Sequence, residues 1–529
     1  MERPKRHHES NKRSMTKEKS LEERRRRSAA LTHERRDALL RSKRLRRDFD
    51  VAAAGPVDAQ IAKLNRATLG TAVVRAVEQA TASQDTDCQK HLEDIRYLRK
   101  LLTESGDPPF QEVLDAGAVP LLGRAIEGES KSTTKAVAQE TTVEAVWALA
   151  YLAGGAHHIA EAVLPQSSSF ILRLSGHSGW TVAEVCAWAL GNLGADCEQF
   201  ADTLVAQGVV KPLAECVFGA EKGVRGEAGR EVVVAGVTSA WALSNMVRNS
   251  HVAGDQLLGL PCATEKIVSM LGLGDVKLVS EILWLVIYII ARNARNLEHM
   301  VQAGLGPPMV KVLIEAVKGL EHDLSNAMMV LIPALRGMGN VVAGASPEYV
   351  ATLLECENGL FVKALVMCLK SSHRGIQKES AWALSNIAGC PTKTGAELVV
   401  QAEAVPVLME LIRSAAFDVR KEAAFVMANL CMRSQSEPNL EFLQQALRSP
   451  KFLATFMQFM RSPDMEAARL GIQFTEMVLR VVPGGLEMVE EVDGIDALEA
   501  VQFGNAPAEL QRMAARLVDT YYGEGYGLE

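Results

Sequence analysis

The chain has 529 residues, of which 48% are hydrophobic and only 5% are aromatic, and its formal net charge is −7. This composition is ample for a large core, and the shortage of strand-favouring aromatic residues favours a helical protein. A single compact globule of this length would be unusual, which favours an architecture that grows by repetition.

The charge is unevenly distributed along the chain. Residues 1–47 hold 18 Lys and Arg against 7 Asp and Glu, whereas the remainder holds 39 against 57. A basic arm on an acidic body indicates that the arm binds either an external polyanion or its own body.

Several functional classes have no support in the sequence. The nine cysteines are scattered, without a CxxC pair or metal-ligand spacing to histidine, so we expect reduced structural thiols and no metal. The N-terminus lacks the apolar segment of a secretory signal. The longest apolar run, residues 282–291, is about half of a bilayer span and is predicted to be a buried helix. Because no phosphate-binding loop or nucleophile elbow is present, we expect neither a cofactor nor catalysis.

The first 50 residues are polar and rich in arginine. They are predicted to be disordered when free, because they have too few apolar residues to bury. A thin apolar stripe from about Ser20 favours a basic helix that binds an acidic surface. A nuclear localisation signal and a nucleic-acid arm remain alternatives. Residues 51–85 are predicted to be a small-residue linker with room for a short helix.

From residue 86 the chain repeats one pattern of helix, break and helix, in which a small residue and a proline mark the break. Residues 86–526 have room for about ten such units of forty-odd residues. The last of them is more polar, as expected of a capping repeat.

Seven predicted helices carry a flat side chain and a second side chain four residues later, which places both on one helix face. The pairs are Trp147/Tyr151, Trp188/Asn192, Trp241/Asn245, Trp284/Tyr288, Arg336/Asn340, Trp382/Asn386 and Phe425/Asn429. Their spacing, with a period in the low forties, is typical of armadillo or HEAT repeats. The two longest gaps coincide with polar insertions, 219–230 and 319–325, which are predicted to be lengthened loops.

Asparagine is a poor residue for the middle of a helix, so its recurrence requires an explanation. We expect the rings and amides to line an exposed groove. The alternative is a ladder of asparagines that links neighbouring repeats, with the tryptophans in the core. Trp180 lies outside the pattern and is predicted to be a core residue.

The chain resembles the importin alpha (karyopherin alpha) family over nearly all of its length. The resemblance is carried by EERRRRSAALTHERRDALLRSKRLRR, by YLRKLLTESGDPPFQEVLDAGAVP, and by AWALGNLGAD, AWALSNMVRN, PALRGMGNVVAG, KESAWALSNIAG and KEAAFVMANL in this order. It implies an all-α, right-handed armadillo superhelix whose groove holds an extended Lys/Arg-rich nuclear localisation signal. Asparagine amides would bind the peptide backbone, and rings and acids would bind its cations.

The resemblance also assigns residues to sites. The major site would comprise Trp147, Tyr151, Gly155, Trp188, Asn192, Asp196, Trp241 and Asn245, with Asp196 and the carbonyl of Gly155 selecting lysine. Glu281, Trp284 and Tyr288 would lie between the sites. The minor site would comprise Arg336, Asn340, Glu379, Trp382, Asn386, Glu422, Phe425 and Asn429. Two residues depart from the family, since Tyr151 replaces an asparagine and Phe425 replaces a tryptophan.

The partners implied are importin beta, cargo proteins and an export receptor at the C-terminal repeats, with shuttling between cytoplasm and nucleus and no direct nucleic-acid binding. Importin beta would bind Arg24, Arg25, Arg26, Arg27, Arg35, Arg36, Lys43, Arg44, Arg46 and Arg47. When importin beta is absent, the arm would fold back with Lys43–Arg44 or Arg46–Arg47 in place of cargo. Two alternatives stay open: a divergent importin-alpha-like protein without cargo binding, and a catenin-like scaffold.

Overall fold

The computed structural model describes residues 61, 64–84, 86–105, 107–127, 134–175, 179–320, 322–392, 394–435 and 438–523. Within these ranges the regular structure is entirely helical, which confirms the predicted all-α class. The predicted basic arm, residues 1–50, lies outside the described residues, as do several residues of the predicted linker and the last six residues of the chain.

Long helices alternate with pairs of shorter ones. The helices are α1 Arg66–Ser83, α2 Cys88–Glu104, α3 Phe110–Asp115, α4 Ala118–Glu127, α5 Lys135–Ala153, α6 His157–Val163, α7 Ser167–Ser175, α8 Trp180–Asp196, α9 Glu198–Ala206, α10 Val210–Val224, α11 Arg230–Asn249, α12 Ala253–Leu258, α13 Ala263–Met270, α14 Val276–Arg292, α15 Ala294–Gln302, α16 Gly306–Gly319, α17 Leu324–Gly344, α18 Pro347–Glu355, α19 Leu360–Leu369, α20 Arg374–Gly389, α21 Gly395–Gln401, α22 Ala404–Ser414, α23 Phe417–Arg433, α24 Gln444–Leu447, α25 Pro450–Met460, α26 Met465–Val481, α27 Gly485–Glu491, α28 Gly494–Phe503 and α29 Ala508–Tyr521. Short 3₁₀ segments occupy Leu164–Gln166, Cys356–Gly359 and Pro438–Leu443.

The chain divides into two compact units, Met1–Pro308 and Met309–Glu529. In the first unit the long helices α2, α5, α8, α11 and α14 pack against one another in sequence, and in the second unit α17, α20, α23 and α26 do the same. One long helix and the shorter helices beside it form a set. Within a set the shorter helices pack on the long helix, as α10 does on α11. Because each set buries its apolar face on its neighbours, the fold is an armadillo solenoid.

Side-chain caps explain where several long helices begin. The Asp275 carboxylate accepts a hydrogen bond from the backbone N–H of Leu278 at 2.9 Å, at the start of α14. Asp464 does the same for Ala467 at 2.8 Å, at the start of α26. Such caps satisfy backbone donors that have no partner within the helix.

Two stretches of the first unit differ from their predictions. Residues 66–83, within the predicted linker, form an 18-residue helix whose Leu69, Val73 and Ala76 are buried. The insertion 219–230 is only partly a loop, because its first six residues extend α10 to Val224. Additional helix buries more apolar surface than an irregular loop and pairs its own backbone groups.

Two long apolar helices are buried within their units. The run 282–291 lies in α14 and is buried along almost its whole length, which confirms the prediction of a buried helix. Helix α17 is long and apolar enough to cross a membrane by length and composition, but 78% of its most apolar window is buried inside the protein. This burial is what a core helix of a solenoid requires.

Glycines allow tryptophans to lie directly on the preceding long helix. A Cβ placed on Gly191 of α8 would be 2.3 Å from a ring carbon of Trp241, on α11. In the second unit, a Cβ on Gly339 of α17 would be 2.0 Å from a ring carbon of Trp382, on α20. Both distances are far below van der Waals contact, so any other residue at these glycines would displace the ring.

We predict that Gly191→Ala lowers the free energy of unfolding by about 1–3 kcal/mol, because the rigid Trp241 ring has to move. Gly70→Ala is the matched control, since a Cβ on this helical glycine would meet Glu112 at an ordinary 3.5 Å. The control variant is expected to gain up to about 1 kcal/mol from the better helix former. Urea unfolding of both variants measures the difference, and equal shifts would contradict the close approach of Trp241.

Candidate functional site

The ring and amide pairs of the long helices rest on the backbone of the long helix before them. In the first unit the Trp241 ring covers Gly191, and the Asn245 side chain donates from Nδ2 to the carbonyl oxygen of Gly191 at 3.2 Å. In the second unit Trp382 covers Gly339, and Asn386 Nδ2 donates to the carbonyl oxygen of Gly339 at 3.2 Å. In both units, the ring and the amide of one pair therefore contact the same glycine of the preceding long helix.

Two further asparagines follow the same rule. Asn192 Nδ2 donates to the carbonyl oxygen of Ala150 at 2.7 Å, and Asn429 Nδ2 donates to that of Ser385 at 2.8 Å. In each of the four cases the acceptor stands immediately before the second position of the preceding pair. The amide nitrogens thus form the ladder between repeats that was one of the two expected roles.

The amide oxygens take no part in this ladder of hydrogen bonds. The Oδ1 atoms of Asn192, Asn245 and Asn386 are buried and have no hydrogen-bond partner among the described residues. A buried acceptor without a donor costs about 1–3 kcal/mol. A backbone N–H of a bound peptide would supply the missing donor, so the same amide can link two repeats and bind a ligand.

The rings are more buried than a groove lining was expected to be. Trp147, Trp188, Trp241, Trp382 and Phe425 are between 4% and 9% exposed, and Tyr288 is buried as well. Trp284 and Tyr151 are partly exposed. The prediction for Trp180 was wrong, because this residue begins α8 and is 38% exposed.

We call the ring and amide pairs of each unit a row. Two aromatic contacts occur in the row of the first unit, and one of them involves a residue outside the predicted pairs. The rings of Phe110 and Tyr151 lie 5.8 Å apart, and those of Trp284 and Tyr288 lie 6.3 Å apart at an interplanar angle of 26°. Phe110 was not a predicted site residue. It contacts Tyr151 from the start of α3, so only the packing of helices brings the two together.

A cation already lies over the first tryptophan. The guanidinium carbon of Arg99, on α2, is 4.5 Å from the centroid of the Trp147 ring. Arg99 also donates from Nε to Glu144 at 2.6 Å, and Arg96 donates to the other oxygen of Glu144 at 3.1 Å. The predicted ability of these rings to bind cations is therefore used at Trp147 by an arginine of the same unit.

Glu144 has the same position in its repeat as the predicted site glutamates, although the sequence analysis did not identify it. It stands three residues before Trp147, as Glu281, Glu379 and Glu422 stand three residues before their own rings. All four glutamates are buried. This shared register was the signal that would have identified Glu144.

In the second unit, Arg336 and Glu379 form a buried ion pair. Arg336 donates from Nε to Glu379 at 3.1 Å and from Nη2 to the second carboxylate oxygen, and both side chains are 4% exposed. Such two-point pairing fixes the orientation of both groups. Glu379 was predicted to bind a ligand cation. Its charge is balanced by Arg336, which replaces a tryptophan in the repeat pattern.

Asp196 ends α8, and its side chain is only 6% exposed. His157, which is 60% exposed at the start of α6, hydrogen-bonds through Nδ1 to the Asp196 carboxylate, and its ring stacks on Phe200 at 5.1 Å. The hydrogen bond and the negative charge of Asp196 raise the pKa of His157 above its ordinary value. Gly155 lies in the turn between α5 and α6, two residues before His157.

Cys197 lies beside this pair, and one donor atom of each of the three residues lies within 4.8 Å of the others. Because the His157 nitrogen is hydrogen-bonded to Asp196, we describe the group as an ion pair with a neighbouring thiol and assign no metal to it. Sequence spacing did not indicate the cluster, since 39 residues separate His157 from Asp196.

Fold and repeat pattern together define an armadillo-repeat protein. The armadillo/beta-catenin-like repeat profile matches residues 361–389 and 395–432. An engineered protein of known crystal structure is similar in fold, with a TM-score of 0.65 and 22% identity over 86% of this chain and 98% of its own.

Two plant proteins are similar to the chain over almost its full length. Importin subunit alpha-9 of Arabidopsis thaliana is 33% identical over 96% of this chain and 95% of its own. Importin subunit alpha-2 of Oryza sativa subsp. japonica is 32% identical over 99% of this chain and 97% of its own. The chain therefore belongs to the importin alpha family, as its sequence motifs predicted, and this family is not one of enzymes.

We predict that Arg336→Met lowers the free energy of unfolding of the second unit by about 3–5 kcal/mol, because it removes the buried charge that balances Glu379. The double variant Arg336→Met/Glu379→Gln should recover most of the loss, since the remaining amide is neutral. Urea unfolding followed by circular dichroism measures both. A double variant as unstable as the single one would contradict the charge-balance explanation.

Proposed function

We propose that the protein is a nuclear import adaptor that binds Lys/Arg-rich localisation signals along the two rows of ring and amide pairs. Its membership of the importin alpha family supports the general role. The observation that supports peptide binding most directly is the set of buried, unpaired Oδ1 atoms on Asn192, Asn245 and Asn386. They offer hydrogen-bond acceptors at intervals along the rows, as an extended peptide backbone requires.

The charges of the rows favour a basic ligand. Asp196, Glu281 and Glu422 place negative charge beside the rings, whereas the charges of Glu144 and Glu379 are already balanced by arginines. Arg99 over Trp147 illustrates the geometry that a cargo arginine or lysine adopts on the other rings. Each such contact contributes about 0.5–2 kcal/mol.

The remaining parts of the proposal rest on the family resemblance. Importin beta binds the arginine-rich arm and removes it from the rows. Its expected contacts are Arg24, Arg25, Arg26, Arg27, Arg35, Arg36, Lys43, Arg44, Arg46 and Arg47. An export receptor binds the C-terminal repeats and brings about cargo release. The protein accordingly shuttles between cytoplasm and nucleus.

Titration of a Lys-rich localisation peptide into three forms of the full-length chain tests the adaptor function. The forms are the wild type, a variant with Lys43, Arg44, Arg46 and Arg47 changed to alanine, and the same variant with Asp196→Lys. We expect weak binding to the first, about micromolar or tighter binding to the second, and loss of binding in the third. An arm variant that does not bind the peptide would refute the adaptor function.

The burial of the rings supports a second candidate, an armadillo scaffold that has kept the rows but does not bind basic peptides. The tryptophans of such a protein would serve only the packing between repeats, as Trp241 does on Gly191. In the titration above, this scaffold would leave all three forms without affinity for the peptide.

Tyr151 provides a separate test of the backbone contacts. It stands where the repeat pattern places an asparagine in other helices, and its ring contacts Phe110. We predict that Tyr151→Asn tightens peptide binding about three- to tenfold, because one amide adds about 1 kcal/mol of hydrogen bonding. Tyr151→Phe is the matched control and should leave affinity unchanged. Calorimetry of the arm variant measures both, and an Asn variant no tighter than the Phe variant would argue against a peptide backbone at this position.

A further inference from the structure

The immediate partner of the Asp196 carboxylate in the first unit is a histidine that solvent can reach. His157 Nδ1 hydrogen-bonds to Oδ2 of Asp196, and the imidazole is fixed in this orientation by stacking on Phe200 at an interplanar angle of 21°. The carboxylate is almost completely covered, whereas 60% of the His157 side chain is exposed. A buried carboxylate of this kind requires a positive or hydrogen-bonding partner.

His158, the next residue, does not share this environment. Its Nε2 lies 3.2 Å from Oε1 of Gln111, a neutral group on α3. Both histidines belong to the same helix and begin the same turn. The chain therefore provides two adjacent, exposed histidines, one beside the Asp196 carboxylate and one beside an amide.

Other charged groups around His157 are few or have partners of their own. Glu161, one turn further along α6, also raises the pKa of His157, by its charge. Glu198, at the start of α9, lies 3.3 Å from His251 in an exposed ion pair. The Cys197 thiol lies beside the pair.

We propose that His157 determines the specificity of the lysine subsite by competing with the cargo ammonium group for Asp196, which makes lysine recognition sensitive to acid. This inference rests on the proposed function, because it assigns a counter-ion to the residue expected to select lysine. An imidazolium on Oδ2 occupies an oxygen that a lysine ammonium needs. If the ammonium takes the other oxygen, the two adjacent positive charges repel each other, so both arrangements lower affinity when His157 is protonated.

The sign of the pH dependence follows from proton linkage. In the absence of cargo, the hydrogen bond to Asp196 holds the pKa of His157 above its ordinary value. When a lysine neutralises Asp196, that stabilisation weakens, the pKa falls and a proton is released. Affinity therefore rises with pH across the interval between the ordinary and the raised pKa, and it is constant above and below this interval.

Calorimetric titration of a Lys-rich peptide at pH 6 and pH 8 tests the inference. Every full-length form used here, including the one called wild type at positions 157 and 158, carries the four arm changes of Lys43, Arg44, Arg46 and Arg47 to alanine. The wild type should bind about three- to fivefold more tightly at pH 8. The variant His157→Asn should bind at pH 6 nearly as tightly as at pH 8, because it carries no proton to compete. His158→Asn is the matched control and should keep the wild-type pH dependence.

Four results separate the possibilities. Peptide binding that is equally strong at both pH values in the wild type would overturn the competition but leave the adaptor function standing. A His157→Asn variant that binds more weakly than the wild type at both values would overturn it too, because His157 would then only orient Asp196. Loss of the pH dependence in His158→Asn would contradict the inference, because the effect would then come from His158 and not from His157. Absence of peptide binding at either pH would overturn the adaptor function together with the inference.

The pair itself can be measured without any peptide. The pKa of His157, followed by NMR of the full-length chain, should fall towards about 6.5 in Asp196→Asn. An unchanged His157 pKa in this variant would show that the two residues are not coupled, whatever the peptide binds.

Discussion

The contact on which the repeats depend is the one between a ring and amide pair and the backbone of the preceding long helix. At Gly191 and Gly339, the absence of a Cβ lets an indole lie on the helix, and the carbonyl oxygen of the same residue accepts from the asparagine of the pair. The apolar contact and the polar contact thus share one residue. Because it recurs in both units, the pair fixes the register in which neighbouring repeats stack.

This arrangement divides the asparagine amide between two roles. The nitrogen belongs to the fold, because a backbone carbonyl can only accept and therefore orients the NH₂ group towards the preceding helix. The oxygen then points away from that carbonyl without a partner of its own. Structure and proposed ligand binding are therefore coupled in one side chain, and a buried acceptor is tolerated where a donor can arrive.

Charge in the rows is balanced differently from one position to the next. Glu144 and Glu379 are paired with arginines from the preceding long helix, and arginine stays protonated at all relevant pH values. Asp196 is paired instead with His157, whose charge changes near neutrality. These three carboxylates thus differ in how easily their counter-ion can be removed.

The sequence alone determined the helical repeat, the ring and amide pairs and the family, because all three depend on spacing within a helix or along the chain. The family resemblance also indicated Asp196 as a member of the proposed site. Only the tertiary structure decided that Trp147, Trp188, Trp241 and Trp382 are buried while Trp180 is exposed, which amide atom links the repeats, and that His157 meets Asp196 across 39 residues. These features depend on how one helix packs on the next, and local periodicity carries no information about which backbone atom, glycine or charge the neighbouring helix will present.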